Sequence, residues 1–338
     1  MLRNKAILAT LVMFAITSLM GLAYAPQAKA AEGPIVMRIG TPTAGEHPQV
    51  WEMNEFKKRI EGKLGAKIKV ELYPASQLGT DAQQRQALLA GSLQGFLQPT
   101  SFLTGLDPAL TINDLPYLFK DTETGVKILN GPAGDKLRAR VEKIGIVIPS
   151  FFVAGDRIQI LTSSVKDMQQ LKGKKIRTIS KLLQDQHEAW GAKGVSLDTS
   201  EVYMALQQHT IDGVESDAPF FFATKLYNAA KYLLMAPKGC EVTVFMLSKK
   251  WLDTLPQDVR NAVVSTVKEM TPAANEYARN FGTKAQAEMV KAGVTVIEPS
   301  PDFDAKLRAA APAIADKFIK EYPDLKPFVD ELRAAATK

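Results

Sequence analysis

From residue 35 onward, apolar side chains recur with a period that switches between two residues and about three and a half. Ile35–Gly40 is short and apolar, as a buried strand requires, and Thr41–Pro48 is a loop marked by glycine and proline. Trp51, Phe56 and Ile60 then fall at helical spacing within Val50–Gly62. Lys67–Tyr73 sets Ile68, Val70 and Leu72 against lysine and glutamate, which predicts a strand with one face buried. Asp81–Ala90 predicts a second helix, stopped before Gly91, and Leu93–Gln98 a third strand. The order β-α-β-α-β predicts a parallel sheet, because strands joined by helical crossovers run in one direction.

The same order returns further on. Lys174–Thr178, Val195–Leu197 and Ile211–Glu215 predict strands, with helices between them at Leu182–Trp190 and Glu201–Gln208. Asp198, Thr199 and Ser200 offer capping oxygens to the second of these helices. Laying Ala87-Leu88…Gly95 over Ala205-Leu206…Gly213 keeps one offset of 118 residues. Two similar α/β domains follow, joined by the extended stretch Pro149–Ser164 with its Phe151, Phe152, Val153 and Ile158. A second crossing is expected near Cys240–Ser248, where Val242, Val244 and Phe245 are strand-like. The helical pattern from Pro256 to about Ala292 would exceed about 50 Å at 1.5 Å per residue, enough to brace both domains. Pro272 is expected to kink or divide it, and Phe303–Ala336 reads as helices broken at Pro312, Pro323 and Pro327. The expected domains are 31–154 plus 243–283, and 155–242 plus 284–338.

The first thirty residues differ in character. Arg3 and Lys5 form a cationic head, an apolar run extends from Ala6 to Ala23, and Ala28-Lys29-Ala30 is a small-x-small cleavage signal. This predicts a signal peptide over residues 1–30 and export to the periplasm; a retained membrane anchor is the alternative reading of the same run. Removing it lowers the formal charge from +6 to +3, too mild a bias to imply nucleic acid as a partner. Cys240 is the only cysteine, so no intramolecular disulfide can form, and a buried side chain is expected there.

Little of the chain resembles catalytic machinery. His47, His187 and His209 lie in no HExxH or HxH spacing and read as ordinary surface or loop histidines. There is no G-x-S-x-G elbow, phosphate loop or metal-ligand cluster, so no catalytic residue, cofactor or metal is expected. Ligands of open parallel sheets collect beyond the carboxyl ends of the strands, and Arg177 stands at such an end. Its guanidinium can grip a carboxylate with two parallel hydrogen bonds. Arg157, in the crossing strand, offers further donors. The alternative for each arginine is an internal partner such as Asp156, Asp198 or Asp217.

Several strings occur in one order: Tyr73-Pro-Ala-Ser-Gln-Leu-Gly79, Leu115-Pro-Tyr-Leu-Phe119, Leu171-Lys-Gly-Lys-Lys-Ile-Arg177, Glu201-Val-Tyr203-x-Ala-Leu-Gln-Gln208 and Asp212-Gly-Val-Glu-Ser216. From about Ile35 to Glu298 the chain thereby resembles the DctP-type solute receptors of TRAP transporters. The resemblance implies an α/β clamshell of the periplasmic-binding-protein kind, with two parallel-dominated sheets flanked by helices and a long helix bracing both domains. It implies that Arg177 clamps a substrate carboxylate and that Arg157 assists. Ser216 stands where most members carry asparagine, and Asp217 where proline is common, which weakens the case for a four-carbon dicarboxylate. By position, Phe220 and Trp190 are further candidates, with His47, Gln77, Gln98 and Ser101 on the first domain. The function implied is that of a monomeric receptor delivering a small organic anion to the integral membrane subunits of a TRAP system. A receptor for another transporter or sensor, and an enzyme on the same scaffold, are the rival readings.

Overall fold

A computed structural model describes residues 33–236 and 238–336, so the expected signal peptide lies outside the described residues. The strands of the first half are β1 (Ile35–Gly40), β2 (Ile68–Tyr73), β3 (Gly95–Pro99), β4 (Ile146–Val147), β5 (Phe151–Asp156) and β6 (Ile158–Leu161). Those of the second are β7 (Lys175–Thr178), β8 (Lys193–Ser196), β9 (Gly213–Ser216), β10 (Tyr232–Leu234), β11 (Cys240–Ser248) and β12 (Thr295–Ile297). One sheet runs β2-β1-β3-β11-β4, with β5 also paired to β11, and the other runs β12-β10-β6-β9-β7-β8. Each sheet, with its helices, forms one lobe.

The predicted parallel cores are present as β2-β1-β3 and β8-β7-β9. The sheets are nonetheless mixed, because β11 runs antiparallel to β3, β4 and β5, and β6 antiparallel to β9 and β10. A strand that arrives from the other lobe joins its sheet without a helical crossover, and nothing then forces it into the parallel direction.

The stretch expected as one crossing strand is two. β5 belongs to the first sheet and β6 to the second, and Arg157 alone separates them. The return crossing falls between Leu234 and Cys240, earlier than expected, since β11 lies wholly in the first sheet.

The long helix spans Gln257–Lys291 without interruption. Pro272 sits on its exposed side, where the carbonyl freed by the missing N–H can face water. Packing on both sides of the proline holds the helix in one piece. Val263, Val267 and Met270 join Phe56 and Phe245 in the first lobe, and Met289 joins Ile158 and Phe221 in the second. Pro312 likewise leaves Pro301–Glu321 unbroken, and Pro327 occupies the first turn of Lys326–Ala336, where its missing N–H has no intrahelical partner to lose. Only the break at Pro323 is seen, as a 3-10 turn over Pro323–Leu325.

The tail also packs differently from the expected division. Phe303 and Leu307 belong to the second lobe with Trp190. Ile314, Phe318, Val329 and Leu332 return to the first, against Leu129 and Leu137.

Candidate ligand-binding site

The carboxyl ends of β3, β7 and β9 converge on the loop after β1. Within that loop Thr41 Oγ1 and Thr43 Oγ1 both donate to Gln49 Oε1, at 2.9 and 3.0 Å. His47 Nδ1 accepts the Gln49 N–H at 3.2 Å, which caps the helix Pro48–Leu64 and aims its first turn at the junction of the lobes. A small, partly open cavity lies there. From the first lobe it is lined by Thr43, His47, Gln49, Gln98 and Phe102, and from the second by Arg177, Thr199, Ser216, Asp217 and Phe220. Glu241 and Thr243 of β11 complete it.

Arg177 is only 2% exposed. Its Nε and Nη2 donate to the Leu197 carbonyl at 3.2 and 3.1 Å, and Nη2 reaches Thr199 Oγ1 at 3.5 Å. The guanidinium lies 5.7 Å from the ring of Phe102 and 5.9 Å from that of Phe220, one ring from each lobe. Among the described residues no carboxylate forms an ion pair with it, and Nη1 makes no hydrogen bond. Burial pulls its pKa down to about 10, against the more distant pull of Asp81, Glu241 and Asp198, so the group stays charged at neutral pH. A cation taken out of water without an adjacent anion costs several kcal/mol.

Arg157 is arranged otherwise. It is fully buried, with Nε 3.0 Å and Nη2 2.9 Å from Asp114 Oδ1, Nη2 2.9 Å from Ser101 Oγ, and Nη1 3.5 Å from Glu241 Oε2. Ser101 in turn donates to Asp114, and Ser216 Oγ donates to Glu241 Oε2 at 2.9 Å. Internal pairing therefore describes Arg157 and not Arg177, and it takes Ser101 with it into the layer behind the cavity. Burial pushes Asp114 up to about 6, against the pull of Arg157. Asp217 caps the helix Ala218–Ala223 by accepting from the Phe220 N–H at 2.7 Å, and burial, then the charge of Glu241, pushes its carboxyl well above the usual range.

Six of the expected residues thus meet around the cavity: His47, Gln98, Arg177, Ser216, Asp217 and Phe220. Trp190 does not, because its ring fills the second-lobe core and its indole N–H donates to the Leu307 carbonyl at 3.2 Å. Gln77 is exposed and outside the lining. His187, expected at the surface, is fully buried, with Nδ1 2.8 Å from the Leu183 carbonyl oxygen and 3.2 Å from Glu215 Oε2. Burial lowers His47 to about 3, so it lines the cavity uncharged. Cys240 is buried as expected, its thiol pushed up to about 12.

One contact between lobes was not anticipated. The N–H of Asp81 donates to Asp198 Oδ2 at 3.1 Å, while Thr199 donates to Asp81 Oδ2 through its N–H at 3.4 Å and its hydroxyl at 2.9 Å. Two helical starts, each rich in unpaired N–H groups, exchange aspartates across the junction. Positions 81 and 199 are 118 residues apart, the offset of the internal repeat, which was the one available signal.

Two α/β lobes meeting around a buried, unpaired cation define a solute-binding protein of the clamshell class. The chain belongs to the bacterial extracellular solute-binding proteins of family 7, the DctP family, whose model matches residues 39–321. It is 30% identical over 289 residues to the C4-dicarboxylate-binding periplasmic protein DctP of Rhodobacter capsulatus, covering 84% of this chain and 86% of that one. It is 27% identical to the 2,3-diketo-L-gulonate-binding periplasmic protein YiaO of Escherichia coli K12, covering 88% and 92%. A solved TRAP periplasmic solute-binding protein from Haemophilus influenzae with bound L-gulonate matches with a TM-score of 0.85 at 26% identity, over 89% of this chain and 99% of that one.

Proposed function

We propose that this chain is an exported, monomeric receptor that captures a small organic anion between its lobes and passes it, chemically unchanged, to the membrane subunits of a TRAP-type transporter. The observation that carries this reading is Arg177, a buried cation at the junction of the lobes with no acid among the described residues in contact. A ligand carboxylate would supply the missing charge through the free Nη1 edge of the guanidinium. Phe102 and Phe220, holding the group from both sides, would keep water from it.

In this reading the lobes hinge where the chain crosses, at Arg157 and between Leu234 and Cys240. The anion favours the closed form by the contacts it makes there and not in the open one. The Asp81–Thr199 exchange belongs to the closed form, since its partners come from different lobes. Residues 1–30 would direct export and be removed.

A thermal-shift screen of organic acids tests the reading, because a saturating ligand raises stability as ln(1 + [L]/Kd). Acids that stabilise the protein but not its Arg177→Met variant support it. Equal stabilisation of both refutes the role of Arg177. Mass spectrometry of a bound acid after incubation should return it unaltered, whereas turnover would favour the enzymatic reading.

A further inference from the structure

The long helix turns one face toward both walls of the cavity. Tyr277, Phe281 and Lys284 follow one another at steps of four and three on the same side of Gln257–Lys291, and none of them lines the cavity. Toward the first lobe, the Tyr277 hydroxyl donates to the Glu46 carbonyl at 2.9 Å, and its ring stacks on Trp51 with centroids 4.9 Å apart. Glu46 and Trp51 flank His47, the cap of Pro48–Leu64, so Tyr277 holds the cavity loop on both sides of its turn. Lys284 Nζ also meets Glu46 Oε2, at 2.5 Å, but both side chains are more than half exposed, and such a pair contributes little. The hydroxyl bond and the stacked rings carry the hold.

Toward the second lobe the stack continues. Phe281 lies nearly parallel to Tyr277 at 5.9 Å and meets Phe222 edge-on at 6.0 Å, and Phe222 is stacked in turn on Tyr227 at 5.7 Å. Phe222 belongs to the short helix Ala218–Ala223, whose cap Asp217 and whose Phe220 line the cavity. Two residues along a helix turn the side chain by about 200°, so Phe220 looks toward Arg177 while Phe222 looks back at the long helix. Phe281 is only 4% exposed, so the ladder is close-packed at its centre and a ring cannot shift without moving its neighbours.

We propose that this ladder positions the binding site: Tyr277 orients the loop that carries Thr43 and His47, and Phe281 orients the helix that carries Phe220 and is capped by Asp217. One helix thereby aligns both walls for the anion. The inference rests on the reading of the cavity between the lobes as the place where the anion is held. Tyr277 and Phe281 touch no ligand and act through the lining residues they keep in place.

Hydrogen exchange in the chain without residues 1–30 reads the positioning before any ligand is added. Tyr277→Phe keeps the stack and loses only the bond to Glu46, so amides 44–51 should exchange at least about fivefold faster while 218–224 and the strands keep their rates. Phe281→Leu opens the ladder in the middle, and amides 218–224 should then quicken by as much. Calorimetry with gluconate and with succinate should give a Kd roughly three- to tenfold higher for Tyr277→Phe, with whichever acid the parent binds, at an unchanged ligand-free melting temperature. Faster exchange spread over all elements, rates unchanged in both walls, or a lowered melting temperature with Kd unmoved overturns the inference. If no acid of the screen binds the parent, the anion reading fails, and the exchange rates still decide the positioning.

Discussion

Replacing Arg177 by methionine should separate what the residue does for binding from what it does for folding. Its pKa falls from the ordinary 12.5 to about 10, which corresponds to about 3 kcal/mol of stability given up to keep the group charged in its buried position. Against this stand two hydrogen bonds to the Leu197 carbonyl, together worth about 1–2 kcal/mol net. The balance predicts that the ligand-free variant is as stable as the parent or more so, by up to about 2 kcal/mol. The sign follows from the direction of the shift. A base whose folded pKa is lowered destabilises at every pH below that value and is relieved only as pH rises from about 10 toward 12.5. The difference should therefore be flat from pH 6 to pH 8. Ligand affinity should move the other way, by at least about 2–3 kcal/mol, roughly 30- to 150-fold in Kd, since the bound carboxylate loses its partner. Urea denaturation of the ligand-free proteins and calorimetry with an acid found by screening measure the two effects. A variant that unfolds more easily and binds unchanged would show that Arg177 holds the structure together and not the ligand.

Trp190→Phe should cost about 1–2 kcal/mol in denaturation, through the lost hydrogen bond to Leu307, and leave Kd within twofold; a larger loss of affinity would return Trp190 to the site. Thr199→Val removes the hydroxyl bond to Asp81 across the junction, so Kd should rise roughly three- to tenfold while the ligand-free melting temperature stays put. An equal loss of both would mean that the contact serves the fold in general. Gly155→Ala sets a Cβ 2.8 Å from that of Asp217, closer than van der Waals contact allows. It should destabilise by about 1–3 kcal/mol and weaken binding by moving the start of the helix that Asp217 caps. A neutral outcome in both assays would refute the close approach of Gly155 to Asp217 as a constraint on that helix.

Much of the architecture was legible along the chain, and for local reasons. The helix Asp81–Ala90 is bounded as expected because its signals sit within a turn of its ends: the Thr80–Gln83 capping box and Gly91 in the left-handed conformation. The two parallel cores were legible because a strand–helix–strand order leaves their direction little choice. The prolines were legible only in part: Pro323 breaks the tail as expected, but Pro272 does not divide its helix and Pro312 does not end its own. Whether Pro272 or Pro312 breaks a helix depends on whether packing on either side outweighs one lost hydrogen bond, and on whether the proline faces water.

The two arginines divide most clearly what could be read from what could not. That an arginine would stand at the end of β7 and another between the lobes was determined by the order of residues alone, as was the two-lobed α/β class. Which of them remained available to a ligand was decided by the tertiary structure. Arg157 is neutralised by Asp114 and Glu241, which lie 43 and 84 residues away in the chain and meet it only where the two sheets join. Arg177 meets no such acid among the described residues, and the same folding carried Trp190 inward and brought Asp81 to Thr199. Periodicity and capping act over a few neighbouring residues and so survive in the sequence. The environment of a charge is set by whichever remote segments come within about 4 Å of it, and that is known only once the chain has folded.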